Sequence, residues 1–190
     1  FGVYTFAGLF YSTFAMLCLF TIFLKKQGHL EGIVNENHLH DIGKFMFAFT
    51  VFWAYIGFSQ FMLIWYANLP EETGYMIRRM DQGWLYVSGF LLFGKFAFPF
   101  LTLLPRDSKR NVKLLTFMAI YMLIAQWIDI MWLVQPEFFK SGPRIGFTEI
   151  GMFLGFLGVF LLAASRFLSK HTVVAIGDPR LPESVFHHHQ

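Results

Sequence analysis

The sequence predicts an all-α, polytopic transmembrane helix bundle with five spans, and three observations carry that prediction. The 190 residues are 56% apolar and only 14% charged, whereas a water-solvated domain carries roughly 25% charged residues. Apolar runs recur five times at roughly 20 residues, the length a helix needs to cross a hydrocarbon core about 30 Å thick. Those runs are apolar on every face, without the alternation of a lipid-exposed barrel strand.

The spans are read at 3–24, 44–66, 84–104, 114–134 and 149–168, with a polar tail over 169–190. Between them, KKQGHLEGIVNENHLHDIG, NLPEETGYMIRRMDQG, PRDSKRNVK and QPEFFKSGPRIGFT gather most of the charge and most of the proline, as loops do. The tail ends VFHHHQ. The first span starts almost at residue 1, with no initiator Met and no targeting segment ahead of it. Further spans are therefore expected before Phe1, making this the second half of a protein of roughly ten helices.

Orientation follows from Lys and Arg on alternate sides. Ten of them (Lys25, Lys26, Lys44, Arg106, Lys109, Arg110, Lys113, Arg166, Lys170 and Arg180) share the side of the C-terminus, against Arg78, Arg79, Lys140 and Arg144 on the other. The positive-inside rule puts the C-terminus in the cytoplasm and Phe1 outside, with Trp65, Tyr66, Trp84, Tyr86 and Trp132 as the outer aromatic belt.

Several function classes are excluded at this level. One cysteine, Cys18, cannot build a disulfide framework or a multi-Cys metal site. The net charge of +3 is small and forms no stripe suited to nucleic acid. All seven His lie outside the spans, so no haem b is held between transmembrane histidines. There is no Cys-x-x-Cys-His, no P-loop, no dinucleotide fingerprint and no nucleophile–base constellation, so the chain does not read as an enzyme by itself.

Ionisable groups inside a span are expensive and mark function by default. Lys95 lies mid-span, about 16 Å from the outer end at 1.5 Å per residue. Pro99 removes the N–H that would bond the Lys95 carbonyl, so a kink is expected there, with Gly94 adding looseness. Asp129 lies about 7–8 Å from the outer end of its span, with Gln126 on the same face. On the second span Tyr55 and Ser59 share a face, with Gln60 beside them. The start of that span reads His38, His40 and Asp41, residues suited to collecting protons. Each group also has a plainer reading. Lys95 and Asp129 suit either a structural ion pair or a proton relay, and the HLHD run suits a solvated loop, a proton antenna or a metal site. Gln126, Ser59 and Gln60 suit interhelical hydrogen bonds equally well. Glu149 is read as a helix N-terminal carboxylate. Gly151, Gly155 and Gly158, with Pro99, are read as helix-packing positions.

The run HLHDIGKFMFAFTVFWAYIGFSQFMLIWYANLPEETGYM, the later QWIDIMWLVQP and the tail IGDPRLPES resemble the ActF-type membrane subunits of bacterial alternative complex III. These belong to the NrfD/polysulfide-reductase membrane family, and the resemblance covers essentially the whole chain. It implies a cofactor-free integral subunit of a quinol:cytochrome c (or cupredoxin) oxidoreductase in the bacterial inner membrane. It further implies two four-helix bundles, and partners that include multihaem and monohaem cytochromes c and an iron–sulfur subunit. A paralogous membrane subunit would bind the quinol; lipids and a terminal oxidase are further expected neighbours. Such subunits are proposed to provide a proton path. The matching motifs carry that role onto Asp129 and onto His38, His40 and Asp41, while Lys95 and Tyr55 are added on physical grounds. Two other functions fit the residues: a quinol site in this chain, with Asp129 and Gln126 accepting the quinol protons, and a secondary transporter with its helix broken at Gly94 and Pro99.

Overall fold

The computed structural model describes residues 1–81, 83–140, 142–174, 177–179 and 181–185. Arg180 and the terminal histidines lie outside the described residues. The described residues contain helices and no strand, and five helical stretches are long and apolar enough to cross a membrane. The transmembrane, all-α architecture is as the composition predicts.

Helix α1 runs Gly2–Lys26. Inside hydrocarbon its polar side chains must satisfy themselves: the hydroxyls of Thr13 and Thr21 donate to the carbonyls of Leu9 and Leu17, each at 2.8 Å. Helix α2, Glu36–Ala67, spans 32 residues, about 48 Å at 1.5 Å per residue. It begins eight residues before the span read from hydropathy, because Asn35 caps it by accepting from the N–H groups of Asn37 (2.9 Å) and His38 (3.2 Å). The HLHD run is thus the first two turns of a helix. At the far end Asn68 takes a left-handed conformation with φ of 49° and stops the helix.

The connection that follows, read as a loop, contains helix α3, Pro70–Met80. Proline opens it, Glu71 and Glu72 occupy its first turn and Arg78 and Arg79 its last, so its charges follow the helix dipole.

The third span is composite. Helix α4 (Trp84–Phe90) passes into a π-helical stretch over Leu91–Ala97, then into α5 (Phe98–Leu103). The expected kink at Pro99 takes this form: with the proline N–H missing, the Phe98 N–H reaches back five residues to the Phe93 carbonyl. The fourth span is α6, Val112–Val134, capped by Asn111, whose side chain accepts from the Lys113 and Leu114 N–H groups. Helix α7 covers Phe147–Lys170, and its Gly146 N–H donates to Glu149 Oε2 at 2.9 Å, the N-terminal role read for that carboxylate. A short helix, α8, covers Leu181–Val185 in the tail.

Helix α1 packs along both α2 and α6, and the composite third span closes the group against α2 and α6. One core cluster (Tyr11, Ala15, Cys18, Leu39, Met46, Leu103, Leu115, Met118 and Met122) fills the half towards Lys109, here called the Lys109 end. A smaller one (Tyr4, Ala7, Trp53 and Leu91) lies towards the opposite, Phe1 end.

Helix α7 buries no residue. It touches the others through ring contacts such as Phe20–Phe160 and Trp127–Phe153. The small-residue face read as helix packing therefore has no partner among the described residues: a side chain added at Gly151, Gly155 or Gly158 would meet nothing within 4 Å there. Pro99, by contrast, is buried as expected.

Candidate functional site: a buried ion pair between four helical segments

Lys95 and Asp129 meet. Lys95 Nζ lies 2.5 Å from Asp129 Oδ2, and the two residues are 0% and 2% exposed. Gln126, one turn before Asp129, accepts from the same ammonium through Oε1 at 2.9 Å. The i,i+3 spacing on α6 places both acceptors on the face that the π-helical stretch presents with Lys95.

Two further donors complete the carboxylate. Tyr4 on α1 donates its hydroxyl to Asp129 Oδ1 at 2.5 Å, and Trp53 on α2 donates its indole N–H to Oδ2 at 3.1 Å. The ammonium also sits over the Trp53 ring (4.0 Å to its centroid) and the Tyr11 ring (4.9 Å). Tyr11, one heptad after Tyr4 on α1, donates to the Lys95 carbonyl at 3.5 Å, the carbonyl that Pro99 leaves without its usual partner. The site is thus electrically balanced, one cation and one anion, each wrapped in hydrogen-bonding or π partners from three other helices. Such wrapping is what keeps a buried pair from being ruinous to the fold.

Two glycines make the approach possible. A Cβ on Gly8 would lie 2.7 Å from Gln126 Nε2, so the amide occupies the space that a side chain on α1 would fill. A Cβ on Gly94 would lie 2.6 Å from the Phe90 ring and 2.9 Å from the Tyr121 hydroxyl.

Of the other residues read as a pathway, Tyr55 is 64% exposed and points away from the pair. Trp53, two positions earlier on α2, takes the inward place expected of it. His38 caps its own helix, its Nδ1 lying 2.9 Å from Asn35 Oδ1 and 3.2 Å from the Asn35 N–H. Asp41 pairs with Lys44 at 2.9 Å on the surface, and His40 is buried at 7% exposed. None of the three approaches Lys95, because the Leu39–Met46–Met118–Met122 layer stands between. An apolar layer therefore separates the HLHD run from the ion pair.

Towards the Phe1 end lie two cavities, one mainly aromatic and aliphatic and one edged with charge. A cavity of about 430 Å³ is lined by Tyr4, Trp53, Gln60, Tyr75, Arg79, Ser88 and Trp132 among others. A second, of about 640 Å³, shares Tyr4, Gln60 and Tyr75 with it and adds Ser59, Arg78 and three carboxylates, Glu71, Glu72 and Glu137. Arg79 is only 1% exposed. Its guanidinium lies over the Tyr75 ring at 3.4 Å and donates to the carbonyls of Tyr75 (2.9 Å) and Leu133 (2.8 Å). Arg78 pairs with Glu137. Burial lowers the Arg79 pKa, opposed by Tyr75 and Glu137, and burial raises that of Tyr75 above the ordinary 10.0, opposed by Arg79.

Sequence reading missed Tyr4, Tyr11 and Arg79. The i,i+7 tyrosines on α1 were a legible signal of one face, but aromatic residues are too abundant here for two to stand out. Of the expected aromatic belt, Trp65, Tyr66 and Tyr86 are exposed, whereas Trp84 is fully buried and donates to the Phe139 carbonyl at 2.8 Å. Trp132 is turned inward, donating to the Ser88 hydroxyl at 2.8 Å. Compared with known proteins, the sequence matches no family model and no curated protein.

Proposed function

We propose that this chain is a cofactor-free, non-catalytic membrane subunit of a quinol:cytochrome c (or cupredoxin) oxidoreductase, and that the Lys95–Asp129 pair is a proton-carrying station within it. The observation that carries the proton reading is the pair itself: two titratable groups 2.5 Å apart, sealed at mid-span, with a tyrosine hydroxyl on the carboxylate. A proton can pass between the lysine and the carboxylate without leaving hydrogen-bond distance, and each transfer changes the charge of a buried site. The respiratory setting rests on the resemblance of the HLHDIGKFMF and QWIDIMW runs to ActF-type subunits. In that setting c-type haems and iron–sulfur clusters belong to partner subunits, and quinol to the paralogous membrane subunit. The membrane is the bacterial inner one, with the Phe1 end outside and the C-terminus in the cytoplasm.

The test is the number of protons moved per electron by the reconstituted complex. Asp129→Asn keeps one acceptor oxygen, in the place of Oδ2 for Lys95 and Trp53, with its amide N–H donating to the Tyr4 oxygen, and the double variant Lys95→Met/Asp129→Asn removes the charges together. Both are expected to assemble and to lower the ratio. An unchanged ratio in both removes the pair from proton movement.

A second reading is favoured by the 430 Å³ cavity, whose Trp53, Tyr75 and Trp132 rings lie beside the Tyr4 hydroxyl. Aromatic walls with few convergent polar groups suit a quinol head. Photo-crosslinking with a quinone analogue decides: label on this chain supports a quinol site here, and label confined to a neighbouring subunit rejects it.

A further inference from the structure

Access to the buried pair is one-sided. On each helix that contributes to the site, the fully buried residues between it and the Lys109 end are apolar apart from Thr50. On α1 these are Ala15 and Cys18, and on α2 Met46; on α6 they are Met118 and Met122, and on α5 Leu103, each 0% exposed. The Thr50 hydroxyl donates to the Met46 carbonyl of its own helix at 2.8 Å, and the half-buried Tyr121 hydroxyl, beside Gly94, faces Tyr11, whose own hydroxyl donates to the Lys95 carbonyl and not to Asp129. A dry, close-packed layer of this kind holds no water to relay a proton.

Towards the Phe1 end the situation reverses. Tyr4 touches Asp129 with its hydroxyl and also lines both cavities, the larger of which carries Glu71, Glu72 and Glu137. Both volumes are ample for water, and in the larger one Ser59, Gln60, Arg78 and the three carboxylates supply the polar partners that hold it.

We propose that Tyr4 is the gate of this site, through which the Lys95–Asp129 pair exchanges protons with the Phe1 side and with that side alone. The inference rests on the proton-carrying reading above. In the outward step the Lys95 ammonium gives a proton to Asp129, leaving a neutral amine beside a neutral carboxyl. Once the carboxyl is neutral the Tyr4 hydroxyl turns its proton to the cavity, and the carboxyl proton passes to the Tyr4 oxygen as that hydroxyl proton leaves to water. Tyrosine ends neutral, donating again to the carboxylate, and the pair has lost one positive charge to the outside. Besides Lys95, the groups facing Asp129 are Tyr4 and Tyr11 of α1 and Trp53 of α2, and Tyr75 of α3 acts on it from further off. Among them Tyr4 alone joins the carboxylate to a cavity by a hydrogen bond and can also release a proton.

A hydrophobic carbodiimide reports this, because it modifies a membrane carboxyl only when that carboxyl is protonated. The complex is reconstituted in vesicles of one orientation with the pH clamped separately on each side, and labelling of Asp129 is followed by mass spectrometry. Acidifying the Phe1 side is expected to raise the labelling rate several-fold, and the same change on the Lys109 side to leave it unmoved. Tyr4→Phe, which keeps the ring, is expected to slow the response to the Phe1 side by about tenfold or more, within the range of a lost proton-transfer group. Labelling that follows the Lys109 side, that ignores both sides, or that responds unchanged in Tyr4→Phe overturns the proposal. Failure of the broader reading is separate: it shows as an unchanged proton-to-electron ratio in Asp129→Asn, whichever side governs labelling.

Discussion

Lys95 is tolerable at mid-membrane because Asp129, Gln126 and the Trp53 ring occupy every direction in which its ammonium can donate. Removing one partner of a buried pair leaves the other uncompensated, which costs about 3–5 kcal/mol, whereas replacing both is far milder. Lys95→Met alone is therefore expected to destabilise the chain by an amount of that order, and Lys95→Met/Asp129→Asn to recover most of it. Chemical unfolding in detergent, arranged as a double-mutant cycle, measures the coupling. A loss in the double variant equal to the sum of the two single losses would mean that the pair contributes little to holding the helices. This residue-scale result was half legible in the sequence. Charged residues in apolar runs announce themselves, so Lys95 and Asp129 could be picked out. Tyr4 and Tyr11 could not, because tyrosine is at home in a membrane helix and only a partner makes it special.

At the scale of elements, the composite third span answers a problem set by Pro99. The proline removes a hydrogen bond, the helix widens into π geometry over Leu91–Ala97, and Lys95 is turned inward at that point. Gly94 is needed there because a side chain would collide with Phe90 and Tyr121, and Gly8 because it makes room for Gln126. Gly8→Ala and Gly94→Ala are each expected to destabilise by about 1–3 kcal/mol, the range for overpacking. Gly155→Ala should be neutral or stabilise by up to about 1 kcal/mol, since only the helix propensity changes. Thermal unfolding of the three variants in one detergent compares them, and a loss at Gly155 equal to that at Gly94 would contradict this account of the packing. Helix α3 is the element that hydropathy hid. Its eleven residues are too polar to read as a span, yet Arg79 at its end binds the Leu133 carbonyl of α6 and stacks on Tyr75.

At the scale of the whole molecule, four of the five spans form the bundle that holds the pair, and α7 stands beside it with no buried residue. Truncation before Phe147 is expected to lower the unfolding free energy of the remainder by no more than about 1–3 kcal/mol, the range for the two ring contacts it removes. The helical circular dichroism signal should fall only by the share of the 24 residues of α7 and the five of α8. A collapse of the remaining helices would show that α7 is integral to the bundle.

The sequence by itself determined the solvent of this protein and the length of its elements. Run length and charge density report directly on the transfer of side chains from water to lipid. It also marked which residues are out of place in lipid. Which faces meet was decided only by the tertiary structure. In a helix that is apolar all round, the hydrophobic pattern no longer distinguishes the inner face from the lipid face, so Tyr55 and Trp53 were indistinguishable as inward candidates until α1 and α6 were packed against α2. The same holds for the glycines. Gly151, Gly155 and Gly158 carry the more regular spacing, yet it is Gly8 and Gly94 that lie against neighbours, because close approach is a property of two helices and is written in neither one alone.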